Sequence, residues 1–246
     1  MIPASSLAQS LAYAGGAAAA TALGAVLGGR TWTGPGRLFH GLMAASAGLL
    51  MGLSVFSLTL PAGRLLGFLP DLALVLALLG GLVLGALGLL LLRAGAARVP
   101  VHAGPWLVLM GLALHDVPEG LAIGTAVAAP GVASALPVAL GIGFQNLLDG
   151  ALAVLAVRAF GWSPVRAMAL VALAGLVEVG ASLVGTLGAG LFPRLLPLVL
   201  LGTAGAMIEL VRSEVLPSLR RREGLAWLPL LLAGVLLIPV LGVRRW

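Results

Sequence analysis

Eight apolar stretches follow one another along the chain, at residues 7–28, 38–61, 72–92, 105–129, 132–159, 164–191, 195–217 and 225–243. Each is near the roughly 20 residues needed to cross a hydrocarbon core. Glycine, proline and arginine punctuate the connections, with breaks at residues 33–36, 62–64, 130–131, 192–194 and 218–224, where such residues stop helices and turn the chain. The pattern predicts an all-α polytopic membrane protein with eight transmembrane helices, built as one integral domain over residues 1–246 with no soluble appendage. Composition agrees, since 61% of residues are hydrophobic and only 9% charged, far from the balance of a soluble domain.

Arginine placement orients the segments, because positive residues gather in cytoplasmic loops. Arg30, Arg37, Arg93, Arg98, Arg158, Arg166, Arg220, Arg221 and Arg222 follow the first, third, fifth and seventh segments, with Arg212 near that end of the seventh. The other side carries only Arg64, Arg194, Arg244 and Arg245. Both termini are therefore expected outside. Trp32, Trp106, Trp162, Trp227 and Trp246 fall at segment ends, as interfacial anchors do. The first segment lacks a basic leader and is long enough to span, so it is expected to stay as a helix rather than be cleaved. The arginines are spread over loops instead of lining one face, which excludes nucleic acid as a partner. Arginine without lysine suits a GC-rich bacterial genome, and the expected location is the cell (inner) membrane as a multi-pass protein.

Against this background the polar residues inside segments stand out. Of eight acidic residues, only Asp71 and Glu223 fall at loop or helix-end positions; Asp116, Glu119, Asp149, Glu178, Glu209 and Glu214 lie within spanning segments. An ionisable group at the centre of a bilayer costs about 2.5–3.5 kcal/mol on insertion scales and is by default a sign of function. Two short sequences concentrate the chemistry: His115-Asp116-Val117-Pro118-Glu119-Gly120 in the fourth segment, and Gln145-Asn146-Leu147-Leu148-Asp149-Gly150 in the fifth. On a helix, His115 stacks with Glu119 and Gln145 with Asp149, four residues apart on one face. Asp116 and Asn146 lie about 100° around and line the same cavity from its edge. Pro118 has no N–H for the carbonyl of Leu114, which frees that oxygen near His115 and predicts a kink. Glu178 in the sixth segment is the natural third wall.

Asp116, Glu119, Asp149 and Glu178 sum to minus four if ionised, and no arginine lies within these helical interiors. Two divalent cations would neutralise that sum; otherwise some of the carboxyls are protonated. With no cysteine in the chain, thiolate sites, disulfides and cysteine nucleophiles are excluded. Imidazole, carboxylate and amide oxygen together suit Zn²⁺ and its first-row neighbours better than Ca²⁺ or Mg²⁺, which have little use for nitrogen. Each of these residues has a plainer role open to it: a lone intramembrane His, Gln or Asn is often interhelical hydrogen-bonding glue, and Arg212 or water could satisfy Glu209 and Glu214. His40 and His102 sit near loops and are not expected to be ligands. The recurring glycines, Gly80, Gly81, Gly85 and Gly88, and Gly185, Gly188 and Gly190, are read as close helix packing.

These motifs resemble the ZIP family of divalent-metal transporters, and within it a GufA-like bacterial branch. HDVPEG at 115–120 is similar to the family's His-Asn-x-Pro-Glu-Gly, and QNLLDG at 145–150 to its Gln-Asn version. SVFSLTLPA at 54–62 resembles the serine-containing run of the second helix, LVEVGASLVG at 176–185 the sixth with Glu178 as its acidic residue, and AGAMIELVRSEVLP at 204–217 the seventh with Glu214. The resemblance implies a ZIP-like bundle. It implies one metal site at His115, Glu119, Gln145 and Asp149, and a second at Asp116, Asn146 and Glu178, with Glu119 and Asp149 bridging. Ser57, Glu209 and Glu214 are candidate pathway residues. The chain departs from the pattern at Asp116, usually Asn, at Asp149, usually the longer Glu, and at Leu148, usually Pro.

The resulting expectation is a transporter and not an enzyme, importing Zn²⁺, or Fe²⁺, Mn²⁺, Co²⁺ or Cd²⁺, toward the cytoplasm as substrate, with no resident cofactor. Its expected partners are divalent metal ions and the lipid bilayer, with a homodimer left open. A carboxylate-lined cation channel and an intramembrane metal-dependent hydrolase are the rivals. The second is disfavoured because no histidine follows His115 at His-Glu-x-x-His spacing.

Overall fold

The computed structural model describes residues 3–31, 37–67, 69–96, 104–128, 135–223 and 225–242. Among these the chain is helical, with no strand: α1 (Ala4–Thr31), α2 (Arg37–Gly52), α3 (Leu60–Leu65), α4 (Asp71–Ala96), α5 (Gly104–Ala128), α6 (Ala135–Ala159), α7 (Pro164–Ala174), α8 (Leu176–Leu191), α9 (Leu196–Leu210), α10 (Leu216–Glu223) and α11 (Leu228–Gly242). The predicted positions of Trp32, Arg98, His102, Arg244, Arg245 and Trp246, and the breaks at 33–36 and 130–131, lie outside the described residues.

Among the described residues, six helices are long and apolar enough to cross a membrane: Ala4–Arg30, His40–Leu65, Asp71–Leu91, Ala135–Ala159, Pro164–Leu191 and Pro193–Ser213. That is short of the eight expected. The fourth predicted segment is the 25-residue α5, which carries His115, Asp116 and Glu119. The eighth contributes the shorter apolar helix Leu228–Val240. Two expected breaks are also corrected. The second segment runs on through 62–64 as α3, because Pro61 sits in that helix's first turn, where its missing N–H has no helical partner to lose. The seventh likewise continues through most of 218–224 as α10. Both continuations follow a π-helical turn, Leu53–Thr59 and Val211–Val215, the kind of local underwinding that often accompanies functional sites.

The helices associate in pairs: α1 with α6, α5 with α8, α2 with α11, and α4 with α9. Glycine makes each seam. A Cβ at Gly28 would stand 2.7 Å from the Ala151 carbonyl oxygen, and one at Gly185 2.9 Å from that of Leu121, distances that only a bare Cα permits. Gly48, Gly52 and Gly234 do the same between α2 and α11, and Gly81, Gly85 and Gly205 between α4 and α9. Small residues let backbones approach where lipid offers no hydrophobic drive.

The pairs assemble into two groups. α1, α5, α6, α7 and α8 pack on one another, as do α2, α3, α4, α9, α11 and the Leu53–Thr59 turn. The groups meet mainly along α5 against α9 and α2 against α6. On the outside, Leu72, Val75, Leu76, Leu79, Val83 and Leu84 of α4 are exposed, which fits a helix facing lipid.

Candidate metal centre

The polar side chains expected at the site gather inside the first group. Asp116 is 2% exposed, and Glu119 and Glu178 are fully buried, as are Gln145 and Asn146 to within a few per cent. α5 runs unbroken through Pro118, so His115, Asp116 and Glu119 keep helical register. α6 faces it with Gln145, Asn146 and Asp149. Glu178 enters from the first turn of α8. The close approach of α5 and α8 depends on Gly120, where a Cβ would collide with the Glu178 carbonyl. Asp116, Glu119, Asp149 and Glu178 are near enough to repel one another.

Two amides hold these carboxylates apart. Gln145 Nε2 donates to Glu119 Oε1 at 3.3 Å and to Asp149 Oδ2 at 3.2 Å. Asn146 Nδ2 donates to Glu178 Oε2 at 2.7 Å and to the Ala17 carbonyl oxygen at 3.3 Å. Both NH₂ groups thus stand where a cation would serve the same acceptors. Among the described residues, no three His, Asp or Glu side chains converge as a ready-made metal cluster; instead Gln145 bridges Glu119 and Asp149, and Asn146 binds Glu178. Even so, Asp116 Oδ2, Glu119 Oε2 and Glu178 Oε1 are buried without a hydrogen-bond partner. Leaving an acceptor unsatisfied costs about 1–3 kcal/mol, and more when it is charged. His115 and Asp149 are half-buried beside them.

Two contributors are absent from the expected set. Ser46 of α2 donates its hydroxyl to Gln145 Oε1 at 3.3 Å, so the second group reaches into the site. α1 supplies the Ala17 carbonyl. Neither carries a sequence signal, since Ser46 sits in a run of small residues and a carbonyl has no residue type. A hydroxyl cluster was missed as well: Ser10 and Ser182 share a hydrogen bond of 2.6 Å, and Thr186 Oγ1 lies within 2.9–3.1 Å of Ser10 Oγ, the Ser182 carbonyl and the Gly124 carbonyl, three acceptors for its one proton. Their signal was the four-residue spacing of Glu178, Ser182 and Thr186 on one face of α8.

The pathway candidates fall elsewhere. Ser57 is buried in the Leu53–Thr59 turn, which packs on α9 and touches α6. Glu209 is gripped by Arg212, whose Nε and NH2 atoms donate at 2.7 and 2.6 Å, one of the two ways foreseen for satisfying it. Glu214 lies in the Val211–Val215 turn; its side chain is outside the described residues, as are those of several arginines at helix ends.

Comparison with known proteins agrees with this picture. A scan against models of protein families finds no match. The chain is 41% identical over 128 residues to the zinc transporter GufA of Myxococcus xanthus, covering 49% of this chain and 50% of that protein. It is 37% identical over 118 residues to the zinc transporter ZIP11 of Xenopus tropicalis, covering 46% of this chain and 35% of that one. The aligned parts thus span half or less of these two relatives. To the zinc transporter ZIPB of Bordetella bronchiseptica it is 36% identical over 225 residues, 85% of this chain and 73% of the relative. Likeness on that scale, running through every segment that carries the site, makes the chain a member of the ZIP family.

Proposed function

We propose that the protein imports Zn²⁺, or a neighbour such as Fe²⁺, Mn²⁺, Co²⁺ or Cd²⁺, toward the cytoplasm by alternating access. In this reading eight segments span the inner membrane with both termini outside. The ion is held between α5, α6 and α8 by His115, Asp116, Glu119, Gln145, Asn146, Asp149 and Glu178, with room in the charge balance for two. The observation that carries the reading is the set of three buried carboxylate oxygens without partners on Asp116, Glu119 and Glu178. A hydrocarbon interior gives acidic groups no reason to collect unless something positive visits them. The zinc transporters to which the chain is similar indicate what that visitor is.

The geometry supports one route of entry. An amide N–H cannot bind a cation, so Gln145 must turn over to present Oε1. In doing so it gives up its bonds to Glu119 and Asp149, which are then free to ligate, and its Oε1 leaves Ser46. Asn146 would release Glu178 in the same way. Dehydration of the ion is offset by imidazole and carboxylate donors already in place. Because Ser46 belongs to the other group of helices, occupancy of the site and contact between the groups are coupled.

The test is uptake of ⁶⁵Zn²⁺ into proteoliposomes. Saturable uptake that is lost in a double His115→Ala, Glu119→Ala variant is expected. Undiminished uptake in that variant would sink the assignment, and flux that stays linear with concentration would favour a channel.

A further inference from the structure

At the end of the bundle where α1 and α6 stop, an arginine is held in place by aromatic rings rather than by an acid. α6 ends at Ala159, and the turn beyond it passes through Gly161, whose φ of 85° is open to glycine and strained for other residues. The chain then turns into α7, capped by Ser163 and started by Pro164. This tight corner sets Trp162 and Arg166 four residues apart, with the Arg166 guanidinium carbon 4.1 Å from the centre of the Trp162 ring. Trp106 of α5 meets Trp162 edge to face, with centroids 5.6 Å apart and planes at 83°. Trp162 packs in turn against a buried core that includes Leu109, Val157 and Ala167, so the stack stands on a rigid base.

Arg166 is exposed, and among the described residues no side chain or carbonyl accepts from its guanidinium. A guanidinium resting on a ring keeps N–H groups to spare, and its fork matches two phosphate oxygens. Two more cations share this end: Arg30 lies in the last turn of α1, and Arg158 is anchored on the Gly29 carbonyl at 2.8 Å. Residues 4–31, 104–115 and 151–177 contain no Asp or Glu, so no acid there competes for the three arginines. Exposed apolar groups adjoin the fork, with Trp106 at 52%, Phe160 at 56% and Val165 at 73% exposure. Indole rings settle at headgroup depth in a bilayer, which places the free fork among lipid phosphates.

We propose that Arg166, stacked on Trp162 and bordered by Trp106, Arg30 and Arg158, binds the phosphodiester headgroup of an anionic phospholipid, whose upper acyl chain lies against Trp106 and Phe160. A topology-setting arginine would need only its charge; the two tryptophans give this one a fixed direction and an apolar floor. The site lies on the same group of helices as the metal centre but does not depend on what that centre carries.

Tryptophan quenching tests it. In a Trp32→Phe, Trp227→Phe, Trp246→Phe variant, only Trp106 and Trp162 fluoresce. Phosphatidylglycerol brominated high on its acyl chains should quench with about fivefold preference over brominated phosphatidylcholine, the factor one basic group at an anionic surface confers. Arg166→Gln should abolish the preference, and Arg194→Gln, an exposed arginine without a ring beneath it, should keep it. Equal quenching by the two lipids, or a preference that survives Arg166→Gln, overturns the proposal. So does displacement by inorganic phosphate at constant ionic strength, which would assign the fork to a soluble anion.

Discussion

The seam between α5 and α8 carries both the fold and the site, and one methyl group should separate the two helices. A Cβ at Gly124 would lie 2.8 Å from the carbonyl carbon of Ser182 and from Thr186 N, and closer still to the Ser182 oxygen. Ordinary contact begins near 3.4 Å, so Gly124→Ala must push the backbones apart by roughly 0.6 Å or more. All three obstructing atoms are main chain and cannot swing aside. Overpacking of this kind costs about 1–3 kcal/mol. The same displacement stretches the 3.1 Å bond from Thr186 to the Gly124 carbonyl, worth a further ~0.6 kcal/mol by the average for bonds between membrane helices. Glu178 and Glu119 sit on the same two helices, one to two turns away, so these candidate donors part as well. Gly188→Ala on α8 is the matched control, because nothing lies within 4 Å of its Cβ and a helical Gly→Ala change is otherwise favourable by about 0.5–1 kcal/mol. Thermal unfolding in detergent should show Gly124→Ala lowered by on the order of 5 °C and Gly188→Ala unchanged or raised, while calorimetric titration with Zn²⁺ should find weakened binding only in the first. Equal behaviour of the two variants would refute the claim that this seam is set by glycine.

Two further substitutions probe the amides. Ser46→Ala removes the donor that holds Gln145 Oε1 toward α2 and should tighten Zn²⁺ binding about fivefold, the worth of one net hydrogen bond of ~1 kcal/mol, with Ser46→Thr restoring the original value; unchanged or weaker binding in calorimetry would show that Ser46 does not oppose the turn of the amide. Asn146→Leu takes from Glu178 its 2.7 Å donor and should destabilise the protein by about 1.5–3 kcal/mol in thermal unfolding, an effect that added Zn²⁺ reverses in part because an ion supplies the missing positive charge.

What could be read before the fold was known follows from how a bilayer treats each kind of residue. Apolar runs and the Gly, Pro and Arg between them report depth directly, and the 192–194 break and the chemistry of 115–120 and 145–150 were legible for that reason. The continuations through 62–64 and into α10 were not, because proline in a first helical turn and a π-helical turn both leave the hydropathy pattern unchanged. Nor were the partners of the glycine stripes: Gly24 and Gly150 announce a close neighbour without saying that it is α6 or α1. Ser46 and the Ala17 carbonyl look like packing until Gln145 and Asn146 are seen pointing at them. Those contacts also reverse the apparent rank of the two motifs. Taken as sequences, His115 to Gly120 holds the charges and Gln145 to Gly150 a diluted copy. In the fold, the first motif concentrates like charges that nothing on α5 can separate, and the second supplies the N–H groups that keep Glu119 from Asp149 and occupy Glu178. A histidine or a third carboxylate at 145 would bring no second N–H to the pair, or none at all, leaving Glu119 and Asp149 facing each other whenever the ion departs. The neutral amides thus serve three of the four carboxylates of the candidate site, Glu119, Asp149 and Glu178, and leave Asp116 to itself.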